Sequence, residues 1–487
     1  MKKFSELIFI PFPVTGHLIS ALKLAKLLVS RDYELSIRIL LIKVKDPALD
    51  SCIKSLSYNE SDTGGGRIQI TDVPDPQKEP SSGEQQQKNP FFILAEKVEN
   101  NKPRVRDLVS GLMDSSSSNK ISGIVVDMFT SQMIDVANEF ELPTYCYYAS
   151  GAATVGFWSY LRNPETKEVD PTEFRDSDTE ISIPTFVNPV PAKLFPLPVF
   201  YKEGFPMFLK ISNRLMETKG ILINTFQDLE SYALSSGLIS SRESKFPPVY
   251  PIGPLINFDG INITSPEDDD QDLNAEIVMN WLDDQPDSSV VFLCFGSGGF
   301  FDGNQVKEIA NALEQSGYKF LWSLRSPDGE LHEEILPEGF LQRISGNGKV
   351  IGWAPQVKVL GHRAIGGFVT HCGWNSILES VWFGVAMAVW PMYAEQQMNA
   401  FLLAKDLGVA VEVKMDYTVD PFSKNNATVK ADVIENGIRE LMQQPDGSEI
   451  RKKMKGLMEK CRNSIADQTG SSYISLECFL NDLHGVH

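Results

Sequence analysis

Two groups of residues in this chain have types and spacings that suit chemistry. The first is an imidazole and a carboxylate, each at the end of an apolar run: His17 follows LIFIPF at 7–12, and Asp127 closes GIVVD at 123–127. If those runs are neighbouring strands, Asp127 accepts from one ring nitrogen of His17. That fixes the tautomer and stabilises the imidazolium formed when the other nitrogen takes a proton. His17 also precedes a helical stretch, and a helix N-terminus disfavours the protonated ring. Each residue has a plainer reading, since a lone His after a strand is often structural and an Asp there often caps the next helix.

The second group lies in residues 353–396. An apolar run, GGFVT at 366–370, is followed by HCGWNS and then by the apolar-periodic ILESVWFG, which reads as buried strand, tight turn and helix. The start of a helix carries unpaired N–H groups and partial positive charge, so it suits a phosphate; His371, Asn375 and Ser376 add side-chain donors. Upstream, Trp353 offers an aromatic face for a base and Gln356 an amide for a sugar hydroxyl, while Glu379 lies one turn beyond Asn375, placed to accept from ribose. Downstream, Glu395 and Gln396 suit the hydroxyls of a sugar, and the Gly-Ser turn at 296–299 adds Ser297 as a further donor to a diphosphate.

These groups must be carried by strands that alternate with helices. The first half alternates LIFIPF, HLISALKLAKLLV, LSIRILLIKV, GIVVD, TYCYYAS and GILINTF; the second alternates VVFLCFGS, KFLWSL, KVIG, GGFVT, AMAVW and VAVEV. Alternation of this kind gives parallel sheets covered by helices, with ligands at the carboxyl ends of the strands. The expected architecture is α/β, two doubly wound Rossmann-like domains facing across a cleft. The expected boundaries are a first domain over 1–247, a linker over 248–273, a second domain over 274–465, and a last helix over 466–487. Residues 64–89, rich in Gly, Pro, Gln and Ser, read as a mobile surface loop, and the proline-rich stretch 163–205 as a wall of the substrate site.

The stretch 353–396 resembles the signature of plant secondary-product glycosyltransferases, the family-one UDP-glycosyltransferases, and the resemblance runs over essentially the whole chain. One departure is Ala386, where that family usually has Pro. The resemblance implies the GT-B fold, with the acceptor bound by the first domain, the last helix packing back on that domain, and UDP held in the second by Ser297, Trp353, Ala354, Gln356, His371, Asn375, Ser376 and Glu379. The sugar is addressed by Trp374, Glu395 and Gln396, the final Gln going with glucose donors. It further implies His17 as general base and Asp127 as its partner. Expected is an inverting transfer of glucose from UDP-glucose to a hydroxyl of a flavonoid, other phenolic or terpenoid, giving a β-O-glucoside without cofactor or metal. Xylose or galactose as the sugar, or a non-catalytic UDP-sugar binding protein, are the alternatives. Phe12, Phe92, Phe129, Tyr148, Phe195 and Phe200 are the aromatic candidates for an apolar acceptor, with Phe91 and Phe205 near them.

Composition bounds the rest. At 487 residues the chain exceeds one ordinary core and suggests two domains of roughly 200 to 250 residues. A net charge of −19 argues against a nucleic-acid partner, which calls for basic stripes. The six cysteines, Cys52, Cys146, Cys294, Cys372, Cys461 and Cys478, lack metal-site spacing and read as reduced thiols. No run reaches the roughly 18 apolar residues of a membrane span, and Pro11, Pro13 and His17 interrupt the N-terminal one. A cytosolic monomer is the expectation. The acidic run at 268–270 reads as solvated linker, not as a metal site.

Overall fold

The computed structural model describes residues 4–44, 49–50, 53, 65–74, 90–114, 119–162, 171–240, 245–258, 270–296, 298–325, 333–420, 427–443 and 448–485. The chain divides into two compact units. One holds Met1–Lys167, Pro206–Asp268 and Ser464–His487; the other holds Glu168–Phe205 and Asp269–Asn463.

In chain order the strands are β1 (Ser5–Ile10), β2 (Leu35–Ile42), β3 (Ile68–Val73), β4 (Lys120–Asp127), β5 (Thr144–Tyr148), β6 (Glu180–Ile181), β7 (Val190–Pro191), β8 (Gly220–Ile223), β9 (Val249–Pro251), β10 (Val290–Cys294), β11 (Lys319–Ser323), β12 (Gly348–Ile351), β13 (Ile365–Thr370), β14 (Met387–Val389) and β15 (Ala410–Glu412). The first unit's sheet runs β3-β2-β1-β4-β5-β8-β9, and the second's runs β12-β11-β10-β13-β14-β15. Every pairing in both is parallel. Parallel strands need long crossovers, and here helices such as Thr15–Arg31 and Gly303–Ser316 supply them. The near-continuous apolar strand sequences follow, because both faces are covered: β1 past Ser5, and all of β10 and β13, are buried.

In each sheet the strand order reverses once, between β1 and β4 in the first and between β10 and β13 in the second. Crossovers leave the sheet in opposite directions there, and the carboxyl ends of the two strands are left open to a ligand. Asp127 ends β4 and His17 follows β1; the turns at Gly296 and His371 follow β10 and β13. Both sequence-derived groups therefore stand at a switch point.

Three assignments made from composition change. Residues 64–89 are not loop throughout, because Ile68–Val73 pairs with β2 as the edge strand; residues 75–89 lie outside the described residues. The linker over 248–273 begins too early. Val249–Pro251 is the seventh strand of the first sheet, and the buried Tyr250 packs on Phe479 at 5.5 Å. Both segments are short edge strands with Gly and Pro at their borders, and tertiary pairing outweighs local propensity. Residues 168–205, assigned by sequence to the first domain, belong to the second unit. Asp406 accepts from the backbone N–H groups of Val187 (2.9 Å) and Asn188 (3.1 Å). Asp420 accepts from Arg175 at 2.5 Å, and Lys193 bridges Asp178 and Asp416.

The helix Ser471–His484 belongs to the first unit, where Phe479 and Leu480 join its core. Phe479 meets Tyr145 at 5.1 Å, Arg31 lies 3.9 Å over the Tyr473 ring, and His484 Nε2 is 2.7 Å from Asp32.

Candidate functional site

In the first unit, β1 and β4 pair in register with Ile10 opposite Val126, which brings the two strand ends side by side. His17 lies in the first turn of the helix Thr15–Arg31, and its Nδ1 is 2.6 Å from Oδ2 of Asp127. Asp127 is buried, while the side chain of His17 retains 29% exposure, enough to meet a ligand. The other carboxylate oxygen, Oδ1, accepts from the N–H of Phe129 at 2.9 Å. Thr130 Oγ1 accepts from Asp127 N at 2.9 Å and donates to the carbonyl of Ile10 at 2.6 Å. Asp127 is thus both the cap of the turn Met128–Met133 and the partner of His17, so the two readings of this residue are compatible.

Phenylalanines surround the imidazole. Phe12 and Phe129 have ring centroids 5.7 and 5.8 Å from that of His17, and Phe91 packs on Phe129 at 5.0 Å. Phe208 continues the cluster, parallel to Phe91 at 5.9 Å and to Trp158 at 4.6 Å. Phe92 touches Phe91 at 5.8 Å. Tyr148 is buried, and its hydroxyl accepts from Trp158 Nε1 (2.9 Å) and lies 3.0 Å from Thr154 Oγ1. Phe195 and Phe200 are buried in the second unit. Phe208 and Trp158 have no flag in sequence, because an aromatic in an apolar helix reads as core.

In the second unit, Cys294 is in register with Thr370, so the turns after β10 and β13 lie side by side. The His371 ring is wedged between two glycines: a Cβ on Gly296 or on Gly373 would stand 2.5 Å from its Nε2. Gly296, at φ +76°, also needs the freedom that glycine has there. Burial pushes His371 down to about 4, against a hydrogen bond to the Cys294 backbone, so the ring is neutral. Its Nδ1 is buried without a partner, an unmet polar atom that calls for a ligand or water. The helix Trp374–Phe383 starts directly after this turn, with Gly373 as N-cap and no side-chain cap of its own. Its first N–H groups have no partners within the helix, which suits an anion.

Gln356, after β12, reaches across to this helix. Its Nε2 donates to Ser376 Oγ at 2.9 Å and to Glu379 Oε2 at 2.7 Å. Trp353 is half-buried in the preceding loop, with Ala354 buried beside it. Asn375 is half-buried and Trp374 buried at the helix start. After β14, Glu395 is half-buried, whereas Gln396 is buried and folded back, its Oε1 accepting from the N–H groups of Met392 and Tyr393 at 3.0 Å each. Ser297, Asp268 and Asp269 lie outside the described residues. Among the described residues no three His, Cys, Asp or Glu side chains group closely enough to hold a metal ion, and no helix is long and apolar enough to cross a membrane.

A helix start suited to an anion in one unit and an imidazole-carboxylate pair in the other invite comparison with known proteins. Residues 223–436 match the family model described as UDP-glucoronosyl and UDP-glucosyl transferase. UDP-glycosyltransferase 1 of Panax ginseng is 47% identical, over 97% of this chain and 98% of its own. The chain belongs to the UDP-glycosyltransferases. A putative UDP-glucose flavonoid 3-O-glucosyltransferase of Fragaria ananassa is 46% identical to this transferase, over 99% of this chain and all of its own. Among solved structures, a Medicago truncatula glycosyltransferase complexed with UDP-glucose superposes with a TM-score of 0.86 at 40% identity, covering 99% and 98% of the two chains. The two parallel-sheet units are accordingly the two Rossmann-like halves of a GT-B fold. The transferase takes its glycosyl group from a UDP-sugar.

Proposed function

We propose that the transferase moves glucose from UDP-glucose to a hydroxyl of a small hydrophobic acceptor, a phenolic or terpenoid, in one displacement that inverts the anomeric carbon. His17, through the ring nitrogen turned away from Asp127, takes the proton of the acceptor hydroxyl. The oxygen then bonds to the anomeric carbon as the bond to UDP breaks, and an α-linked donor yields a β-glucoside. Asp127 holds the tautomer and stabilises the imidazolium. Charge on the departing diphosphate is met by the start of the helix Trp374–Phe383 and by Asn375 and Ser376, with the neutral ring of His371 shaping the turn that precedes them. Trp353 stacks on uracil, Gln356 and Glu379 hold the ribose, and Trp374, Glu395 and Gln396 address the hexose.

The observation that carries this reading is the 2.6 Å pair of His17 and Asp127 set among Phe12, Phe91 and Phe129. Such surroundings suit a flat or bulky apolar molecule that presents one hydroxyl to the imidazole. Relatives in Fragaria carry names that specify glucosyl transfer to flavonoids, which supports the phenolic class. The test is incubation with UDP-glucose, UDP-xylose and UDP-galactose against a panel of flavonoids and triterpenols. Mass spectrometry should register the gain of one hexose, and the anomeric proton coupling should be that of a β-linkage. An α-product would overturn the single displacement. UDP binding without product from any acceptor would favour a binding protein.

A further inference from the structure

Cys372 lies between His371 and Gly373 in the turn after β13, fully buried, with φ at +64°. That left-handed conformation is unfavourable for any residue with a Cβ and persists only where surrounding bonds enforce it. Two bonds of its backbone do so here, beside a weaker one from its thiol to the Thr370 carbonyl at 3.5 Å. The N–H of Cys372 donates to Thr370 Oγ1 at 3.2 Å, within the turn itself. Its carbonyl accepts from Asn399 Nδ2 at 3.1 Å, the tertiary bond that anchors the turn from outside. Burial pushes the thiol of Cys372 well up, so the residue is no nucleophile.

Asn399 is buried in the helix Gln396–Phe401, one turn after Gln396. Two side chains of that helix hold the segments around the donor site, while Gln397 bonds the Tyr417 carbonyl at 2.8 Å. Gln396 gathers the backbone N–H groups of Met392 and Tyr393, and Asn399 gathers the carbonyl of Cys372. We infer that Asn399 is a positioning residue of the donor site: it holds the left-handed turn at Cys372, so that His371 and the first turn of the helix Trp374–Phe383 meet the diphosphate, and it ties that turn to the loop carrying Glu395. The inference rests on the reading of these segments as the UDP-sugar site.

The full-length protein tests it by calorimetric titration with UDP and by steady-state kinetics, for Asn399→Ala, Asn399→Asp and the double variant Cys372→Gly/Asn399→Ala. Asn399→Ala should bind UDP about tenfold more weakly and raise the KM for UDP-glucose while leaving the acceptor KM unchanged. Asn399→Asp keeps the shape but replaces the donor with an acceptor, and should lose as much. Glycine adopts positive φ without penalty, so the double variant should regain at least half of the lost binding, on a logarithmic scale. Wild-type UDP affinity in Asn399→Ala, or a double variant no better than the single, overturns the inference. If Asn399→Ala yields no soluble protein, a soluble, UDP-binding double variant supports it and an insoluble one overturns it. His371→Ala is titrated alongside: if it leaves UDP affinity unmoved, the donor-site reading itself fails, which is a different result from the absence of rescue.

Discussion

Nδ1 of His17 faces Oδ2 of Asp127 at 2.6 Å, while Oδ1 of the same carboxylate is anchored at 2.9 Å by the N–H of Phe129. The carboxylate therefore cannot rotate without giving up a backbone hydrogen bond at the end of β4. Thr130 adds a second restraint by bonding the carbonyl of Ile10 at the end of β1. The orientation of the imidazole is thus inherited from the register of two central strands, through one buried side chain.

His17→Ala should lower kcat by about 10²- to 10⁴-fold, the usual share of a general base, with UDP affinity unchanged by calorimetry. Asp127→Asn still accepts from Phe129 but presents an amide donor to Nδ1, favouring the wrong tautomer. It should fall by a similar order with little loss of fold. Turnover in Asp127→Asn equal to wild type would remove the carboxylate from the reaction and leave it only its capping part.

His371 gives a pH signature. Its folded pKa is about 4 against an ordinary 6.5, so between those values the unfolded chain holds the extra proton. Stability from keeping this ring neutral is fully present above pH 6.5 and is lost as pH falls towards 4. The slope from this one group reaches at most about 1.4 kcal/mol per pH unit. Urea unfolding of wild type and His371→Gln at pH 7, 6, 5 and 4.5 should give a shallower loss for the variant. Parallel curves would mean that His371 is not held neutral by the fold.

Much of this architecture is legible in the chain because each switch-point strand is an apolar run ending in a polar or glycine-rich turn: Asp127 closes one and His371 opens after another. What escapes sequence depends on contacts, most of them distant in the chain. Val249–Pro251 becomes a strand only because β8 is beside it, and residues 168–205 join the second unit through Asp406, Asp416 and Asp420. Gln396 reads as a residue for sugar hydroxyls, yet its carbonyl is engaged by its own loop. The positive φ of Cys372 has no sequence mark, since glycine is the usual occupant of such a position.

Gln356→Leu tests the bridge between the loop after β12 and the helix Trp374–Phe383. It removes the donor to Ser376 and leaves Glu379, which is buried, with one hydrogen bond fewer. With that bridge gone the loop and the helix are no longer held together, so UDP affinity should fall about tenfold. Trp353→Ala should weaken UDP by a comparable factor through lost stacking, about 1 to 3 kcal/mol. Titration with UDP checks both, and a Gln356→Leu variant that binds UDP like wild type would take this amide out of the donor site.

The aromatic cluster separates packing from recognition. Phe208 is 3% exposed and stacked between Trp158 and Phe91, so Phe208→Ala should cost about 3 to 5 kcal/mol of stability, read as a lowered urea midpoint. Phe91 is only half-buried and meets Phe12 and Phe129, the two rings that flank His17. Phe91→Ala should leave most of the stability intact while raising the acceptor KM about tenfold, because an apolar ring loses one face of its surroundings. UDP-glucose KM should not move, since Phe91 belongs to the first unit and the residues proposed to hold the nucleotide belong to the second. If the acceptor KM stays constant across a panel of flat phenols and bulky terpenols while stability falls, Phe91 is core and makes no acceptor contact.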